Sequence, residues 1–162
     1  MKVLVLESYA ANAVATLQAQ GLSVSTDSAT LAEAEILLIR SRTQIDSYLL
    51  DKAPKLKLIV TSTSGFDHID WRETQKRGIT TAHTPNANAQ STAELTMLLM
   101  LATERHLINA RKNVRENKWR EGLTRPAGLE GQDLGIIGLG RVGLRVAKLA
   151  QAFGMRVSGY DP

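Results

Sequence analysis

No cysteine occurs among the 162 residues. That excludes disulfides, thiol catalysis and cysteine-based zinc sites, and favours a reducing, cytoplasmic setting. Aromatic residues are scarce at 4 %. Long apolar runs are missing as well. The longest, Leu95 to Ala102, is interrupted by Thr96 and falls far short of the roughly 18 residues that a membrane helix needs. No basic segment precedes the strand-like Met1-Lys2-Val3-Leu4-Val5-Leu6, so no secretory signal is expected. What remains is ordinary for a globular chain. Hydrophobic residues make up 43 % and charged residues 22 %, which excludes a disordered tail or a collagen-like fibre. The length suits about one domain, on a prior of roughly 100–200 residues.

The net charge of +4 is unevenly spread. Residues 1–98 carry 9 basic and 10 acidic side chains, whereas residues 99–162 carry 11 basic and 6 acidic. The excess gathers in Arg105, Arg111, Lys112, Arg115, Lys118, Arg120 and Arg125. A nucleic-acid footprint is one reading. Without interleaved aromatics or a helix-turn-helix pattern, a solvated helix face is the better one, and no nucleic acid is expected as a partner.

Strands alternate with helices along the chain. Val3–Leu6 reads as a buried strand, Ala10–Gln20 as a helix ended by Gly21, and Leu22–Ser25 as a second strand. Ile36-Leu37-Leu38-Ile39 is continuously apolar, as expected of a strand covered on both faces. A short helix around Asp46–Lys52 ends before Pro54, and Leu58-Ile59-Val60 is a fourth strand. After the loop Thr61–Phe66, Asp70 caps a helix to Arg77, Gly78 stops it, and Ile79–Ala82 is a fifth strand. This alternation predicts a parallel sheet layered by helices, an α/β fold. Ser91-Thr92-Ala93-Glu94 matches a capping box and predicts one long helix from Ser91 to Lys118, followed by a connecting loop over 119–131.

The most specific motif lies further on. The strand Leu134–Ile137 runs into Gly138-Leu139-Gly140-Arg141-Val142-Gly143. A helix over about Arg141–Phe153, the stop Gly154 and the strand Met155–Tyr160 follow, with Asp161 at the strand's end. This is the context that a dinucleotide-binding G-x-G-x-x-G requires, including an acid about 20 residues on. Gly138 permits the tight turn, Gly140 a close backbone approach to a pyrophosphate, and Gly143 close helix–strand packing. The amides at the helix start attract phosphate. Asp161 would accept from the ribose hydroxyls and repel a 2′-phosphate, which favours NAD over NADP. A glycine-rich turn without ligand and a flavin site are the competing readings.

The chain resembles the D-isomer-specific 2-hydroxyacid dehydrogenases, with the phosphoglycerate dehydrogenases the nearest branch. The resemblance rests on Arg40-Ser41-Arg42-Thr43, Ser64-Gly65-Phe66-Asp67-His68-Ile69-Asp70, Thr84-Pro85-Asn86-Ala87-Asn88, Ala93-Glu94-Leu95, the Leu134–Gly143 motif and Phe153-Gly154-Met155. It implies a flavodoxin-like parallel-sheet substrate domain over 1–98. A linking helix and the first βαβ unit of a Rossmann NAD-binding domain would follow over 99–162. One departure is His83, where most relatives have Asn before Thr-Pro.

The resemblance also implies roles. Ser64 and Gly65 would hold the substrate carboxylate, with Ser64 reaching the nicotinamide end of the cofactor. Arg40 and Arg42 would meet the anionic 2-hydroxy or 2-keto acid, since a guanidinium fork suits carboxylate or phosphate. Surface ion pairing is the alternative for both arginines. Gly138, Gly140, Arg141, Val142, Gly143 and Asp161 would bind NAD. The family's catalytic Arg and its His–Glu pair follow the ribose acid, and nothing here matches them, so no catalytic residue is assigned. His68, His83 and His106 read as structural or solvated. This chain alone is therefore expected to lack dehydrogenase activity. An NAD-binding sensor or scaffold module is the alternative function. A homodimer through the second domain is implied, with 99–162 as the arm that would be exchanged, because the strand before Gly138 has an open apolar edge.

Overall fold

The computed structural model describes residues 1–125 and 128–162; residues 126–127, within the connecting loop expected over 119–131, lie outside the described residues. The chain divides into two compact units, Met1–Ala87 and Asn88–Pro162.

The first unit is a five-stranded parallel sheet. Its strands are β1 (Lys2–Val5), β2 (Ser23–Ser25), β3 (Ile36–Ile39), β4 (Leu58–Thr61) and β5 (Thr80–His83), in the order β2-β1-β3-β4-β5. Three helices connect them: α1 (Ala11–Ala19), α2 (Ser47–Asp51) and α3 (Trp71–Lys76). A 3-10 helix over Ser28–Glu33, absent from the sequence reading, enters β3. The apolar runs become strands because successive side chains leave opposite faces. Leu4, Leu37, Ile39 and Ile59 share one core, while Val3, Val5 and Ile36 build another. Both faces are thereby covered, as the unbroken Ile36–Ile39 run implied. Each fully buried Leu or Ile stabilises the sheet by about 1.5–3 kcal/mol. Asp46 and Asp70 cap α2 and α3 through their side chains, accepting from the amides of Leu49 and Glu73.

The second unit contains α4 (Ala89–Glu104), α5 (Leu107–Arg115), β6 (Asp133–Ile137), α6 (Gly143–Ala152) and β7 (Arg156–Tyr160). Its core joins Ala93 and Met97 of α4 to Val146 and Ala150 of α6, together with Leu129 and Met155. The strands β6 and β7 pair in parallel from Asp133↔Arg156 to Ile137↔Tyr160. Arg156 clamps Asp133 with two hydrogen bonds of 2.6 and 2.8 Å.

Two local expectations are corrected. The predicted Ser91–Lys118 helix is two helices, broken where His106 turns left-handed (φ 50°). Its imidazole Nε2 meets the Thr124 hydroxyl at 2.8 Å. No glycine or proline marks this break; a contact distant in sequence supports it, and that contact leaves no periodicity signal. The second helix stops at Arg115, where the Asn113 side chain donates to the Glu121 carbonyl at 2.6 Å. The capping box does not form either. The Ser91 hydroxyl donates back to the Asn88 carbonyl at 3.0 Å, and Glu94 accepts from Gln90. The helix starts two residues earlier than the motif implied, so Ser91 lies inside its first turn. Among the described residues, no helix is long and apolar enough to cross a membrane.

Candidate functional sites

In a parallel sheet the loops that follow the strands gather at one edge, and ligands settle where the strand order reverses. Here that point lies between β1 and β3, since β2 flanks β1 on one side and β3 on the other. A cavity of about 720 Å³ opens there, lined by Leu6, Glu7, Ser8, Arg40, Ser41, Arg42 and Thr43. Both predicted arginines therefore stand at the expected position. Both are exposed, and among the described residues neither forms an ion pair. The negative charge nearest their loop is used otherwise. Glu7 Oε1 accepts from the Arg40 amide (2.8 Å), the Thr43 amide (3.1 Å) and the Thr43 hydroxyl (2.9 Å). Burial would raise the Glu7 carboxyl, but these donors outweigh it and hold it below the ordinary carboxylate range. The residue-type reading missed Glu7. The rule that ligand loops follow strands, applied to β1, would have singled it out.

The second predicted loop follows β4. Its two carbonyls are each held. The Ser64 carbonyl can only accept, so His83 Nδ1 donates to it, at 2.8 Å. Thr63 Oγ1 donates to the Gly65 carbonyl at 2.7 Å. With that proton spent, Thr63 must accept from Thr61 (2.7 Å), and Thr61 in turn from His68 Nε2 (2.9 Å). Buried His68 is thus a donor at Nε2, and a relay of hydroxyls carries its direction to Gly65. Phe66 packs edge-on against the His83 ring at 5.3 Å. Among the described residues, the Gly65 and Phe66 amides donate to nothing. Two adjacent free amides in a braced loop form a seat for a carboxylate. Tyr9, also missed in the sequence, ties this loop to β3: its hydroxyl donates to the Ile39 carbonyl (2.6 Å) and accepts from Ser62 Oγ (2.9 Å).

The third predicted site is the turn between β6 and α6. Gly138 adopts φ 93°, a left-handed conformation that favours glycine. Its amide donates to the Tyr160 carbonyl at 2.7 Å. A Cβ on Gly143 would stand 2.0 Å from the Gly138 carbonyl oxygen, so only glycine fits. A Cβ on Gly140 would meet nothing within 4 Å, which leaves that backbone open to an incoming group. The helix begins at Gly143 rather than at Arg141, with Val142 as its cap residue. Asp161 follows β7 and is exposed. A tight turn, an open glycine face, a free helix start and an acid after the next strand together fit a dinucleotide pyrophosphate and ribose.

Comparison with known proteins agrees with this geometry. Residues 3–125 match the catalytic domain, and residues 97–162 the NAD binding domain, of the D-isomer specific 2-hydroxyacid dehydrogenases. Hydroxypyruvate reductase of Thermotoga maritima is 39 % identical over 132 residues, covering 82 % of this chain and 43 % of that protein. D-3-phosphoglycerate dehydrogenase of Methanocaldococcus jannaschii is 40 % identical over 132 residues, covering 82 % of this chain and 25 % of that protein. The crystal structure of D-lactate dehydrogenase from Aquifex aeolicus, complexed with NAD and lactic acid, superposes with a TM-score of 0.86 at 31 % identity. It covers 99 % of this chain and 51 % of that one. The chain thus spans between a quarter and a half of the relatives it matches. With both of its compact units matched and its glycine turn built as that fold requires, the chain belongs to the D-isomer specific 2-hydroxyacid dehydrogenases.

Proposed function

We propose that these residues form the anion-binding and NAD-binding parts of a 2-hydroxyacid dehydrogenase of the phosphoglycerate dehydrogenase type, which transfers hydride between NAD and substrate C2. The observation that carries this reading is the Gly138–Gly143 turn, in which Gly143 is sterically obligatory while Gly140 faces open space. Gly138, Gly140, Arg141, Val142 and Gly143 would hold the pyrophosphate with backbone amides, and Asp161 the adenosine ribose. NAD, when bound, supplies the hydride acceptor or donor. The chain's own residues bind and orient. The Gly65 and Phe66 amides receive the substrate carboxylate, Ser64 borders it, and Arg40 and Arg42 take a second anionic group.

The 162 residues by themselves bind without turning over. Each of the three histidines is engaged structurally: His68 with Thr61, His83 with the Ser64 carbonyl and His106 with Thr124. Among the described residues, none of them pairs with a carboxylate to exchange a proton. Self-association is part of the same proposal. β6 and β7 form a sheet of two strands, and Ile137 is 89 % exposed, a surface suited to a second copy. The lack of cysteine suits the cytoplasm. Calorimetry tests the main reading: NAD should bind and NADP should bind more weakly. Absence of heat at millimolar NAD would overturn it. A dehydrogenase assay with NAD and 3-phosphoglycerate should show no turnover, and light scattering should report a dimer.

A further inference from the structure

The cavity at the strand-order reversal contains an arrangement that the proposed substrate contacts leave unexplained. A carboxylate sits beside two arginines and pairs with neither guanidinium. In ordinary surface chemistry, Glu7 would neutralise Arg40 or Arg42 and close the site. Here one of its two oxygens, Oε1, is taken up by backbone and hydroxyl donors from the loop itself, which ties the carboxylate to the loop backbone. An oxygen has room for about two strong donors along its lone pairs, and Oε1 takes three. A carboxylate bonded to amides also draws more from charge-assisted hydrogen bonds than it would from an exposed ion pair.

We propose that Glu7 is the positioning residue of the anion site: its carboxylate binds the loop through the amides of Arg40 and Thr43, so that both guanidiniums remain unpaired and are presented to the substrate's anionic group. The proposal rests on the reading of Arg40 and Arg42 as the anion contacts. The geometry gives it a physical form. Arg40 and Thr43 are three residues apart, and one oxygen gathers both amides. The chain between them turns through the exposed Ser41 and Arg42. Without that anchor the loop backbone carrying the two arginines would sample separate orientations, and a ligand would have to order it on binding. Thr43 secures the closing end twice, by amide and by hydroxyl.

Titration of the 162-residue chain with 3-phosphoglycerate by calorimetry, alongside thermal melting, tests this. Wild type should bind and the Arg40→Ala/Arg42→Ala variant should lose binding. If wild type fails to bind, or the double variant binds equally well, the anion-site reading itself falls. If that control holds, Glu7→Ala should bind about tenfold more weakly, and Glu7→Gln, which keeps the acceptor oxygen, no more than about threefold more weakly. A purely structural Glu7 would lower the melting temperature and leave the affinity of the folded protein unchanged, which would overturn the proposal. Should Glu7→Ala not fold, Thr43→Val decides. It removes one donor to the same oxygen, and an affinity at least about threefold weaker supports the positioning role. Unchanged affinity rejects it.

Discussion

His83 donates through Nδ1 to the carbonyl of Ser64 at 2.8 Å, across the gap between the end of β5 and the loop after β4. An asparagine amide at this position carries an N–H that could serve the same carbonyl. In this chain the histidine braces the Ser64 carbonyl. Replacing His83 by Asn should leave stability within about 0.5 kcal/mol, whereas Ala should cost roughly 1 kcal/mol and loosen the Ser64–Gly65 loop. Urea melts, combined with hydrogen exchange at the Gly65 amide, separate the two variants. Equal behaviour of Asn and Ala would refute the clasp.

At the glycine turn, Gly143→Ala and Gly140→Ala should fail differently. The first drives a methyl group into the Gly138 carbonyl at 2.0 Å, a clash with backbone that should cost at least about 1–3 kcal/mol. The second meets nothing within 4 Å and should fold normally while losing NAD affinity, because the added methyl group occupies the face that the pyrophosphate needs. Melting curves and calorimetry on the same two proteins provide the comparison.

Asp161 should set the preference between NAD and NADP. Its replacement by Ala removes a charged acceptor, at about 1.5–3 kcal/mol of NAD binding. It also relieves repulsion of a 2′-phosphate. The ratio of the two dissociation constants should therefore move toward NADP; an unchanged ratio would remove Asp161 from the site.

Acid should weaken the first unit through identified carboxylates. Glu7 is held low despite burial by its loop donors; Glu33 is held low by Lys55 and Lys2, Glu35 by Lys57, and Glu73 by Arg77 and Lys76. A depressed folded-state pKa contributes stability above the unfolded value, and that stability disappears as pH falls through the folded value. Stability should thus be level near neutrality and fall below about pH 4.3, the ordinary glutamate value. Glu7→Gln should flatten part of that slope. Urea melts between pH 3 and pH 7, on the order of the range in which carboxylates titrate, measure both.

The glycine turn was legible because it is local. Gly138, Gly140 and Gly143 act through their own backbone, and the spacing to Asp161 follows from one strand–helix–strand unit. The arginines were legible by the same logic, as residues directly after a strand. The bonds that Glu7 and Tyr9 make were not. Glu7 lies 33 residues from Arg40, and Tyr9 lies 53 from Ser62. Their partners are chosen by strand order, which no local pattern encodes.

Alternating apolar runs, turn glycines and the capping Asp70 were by themselves enough to determine a parallel α/β chain with a dinucleotide turn, because periodicity and backbone sterics act over a few residues. Tertiary structure alone decided that the long helix breaks at His106, that His83 braces Ser64, and that Glu7 leaves its neighbouring arginines free. Each of these depends on a hydrogen bond between groups far apart in the chain, and such a bond exists only once folding has brought its partners together.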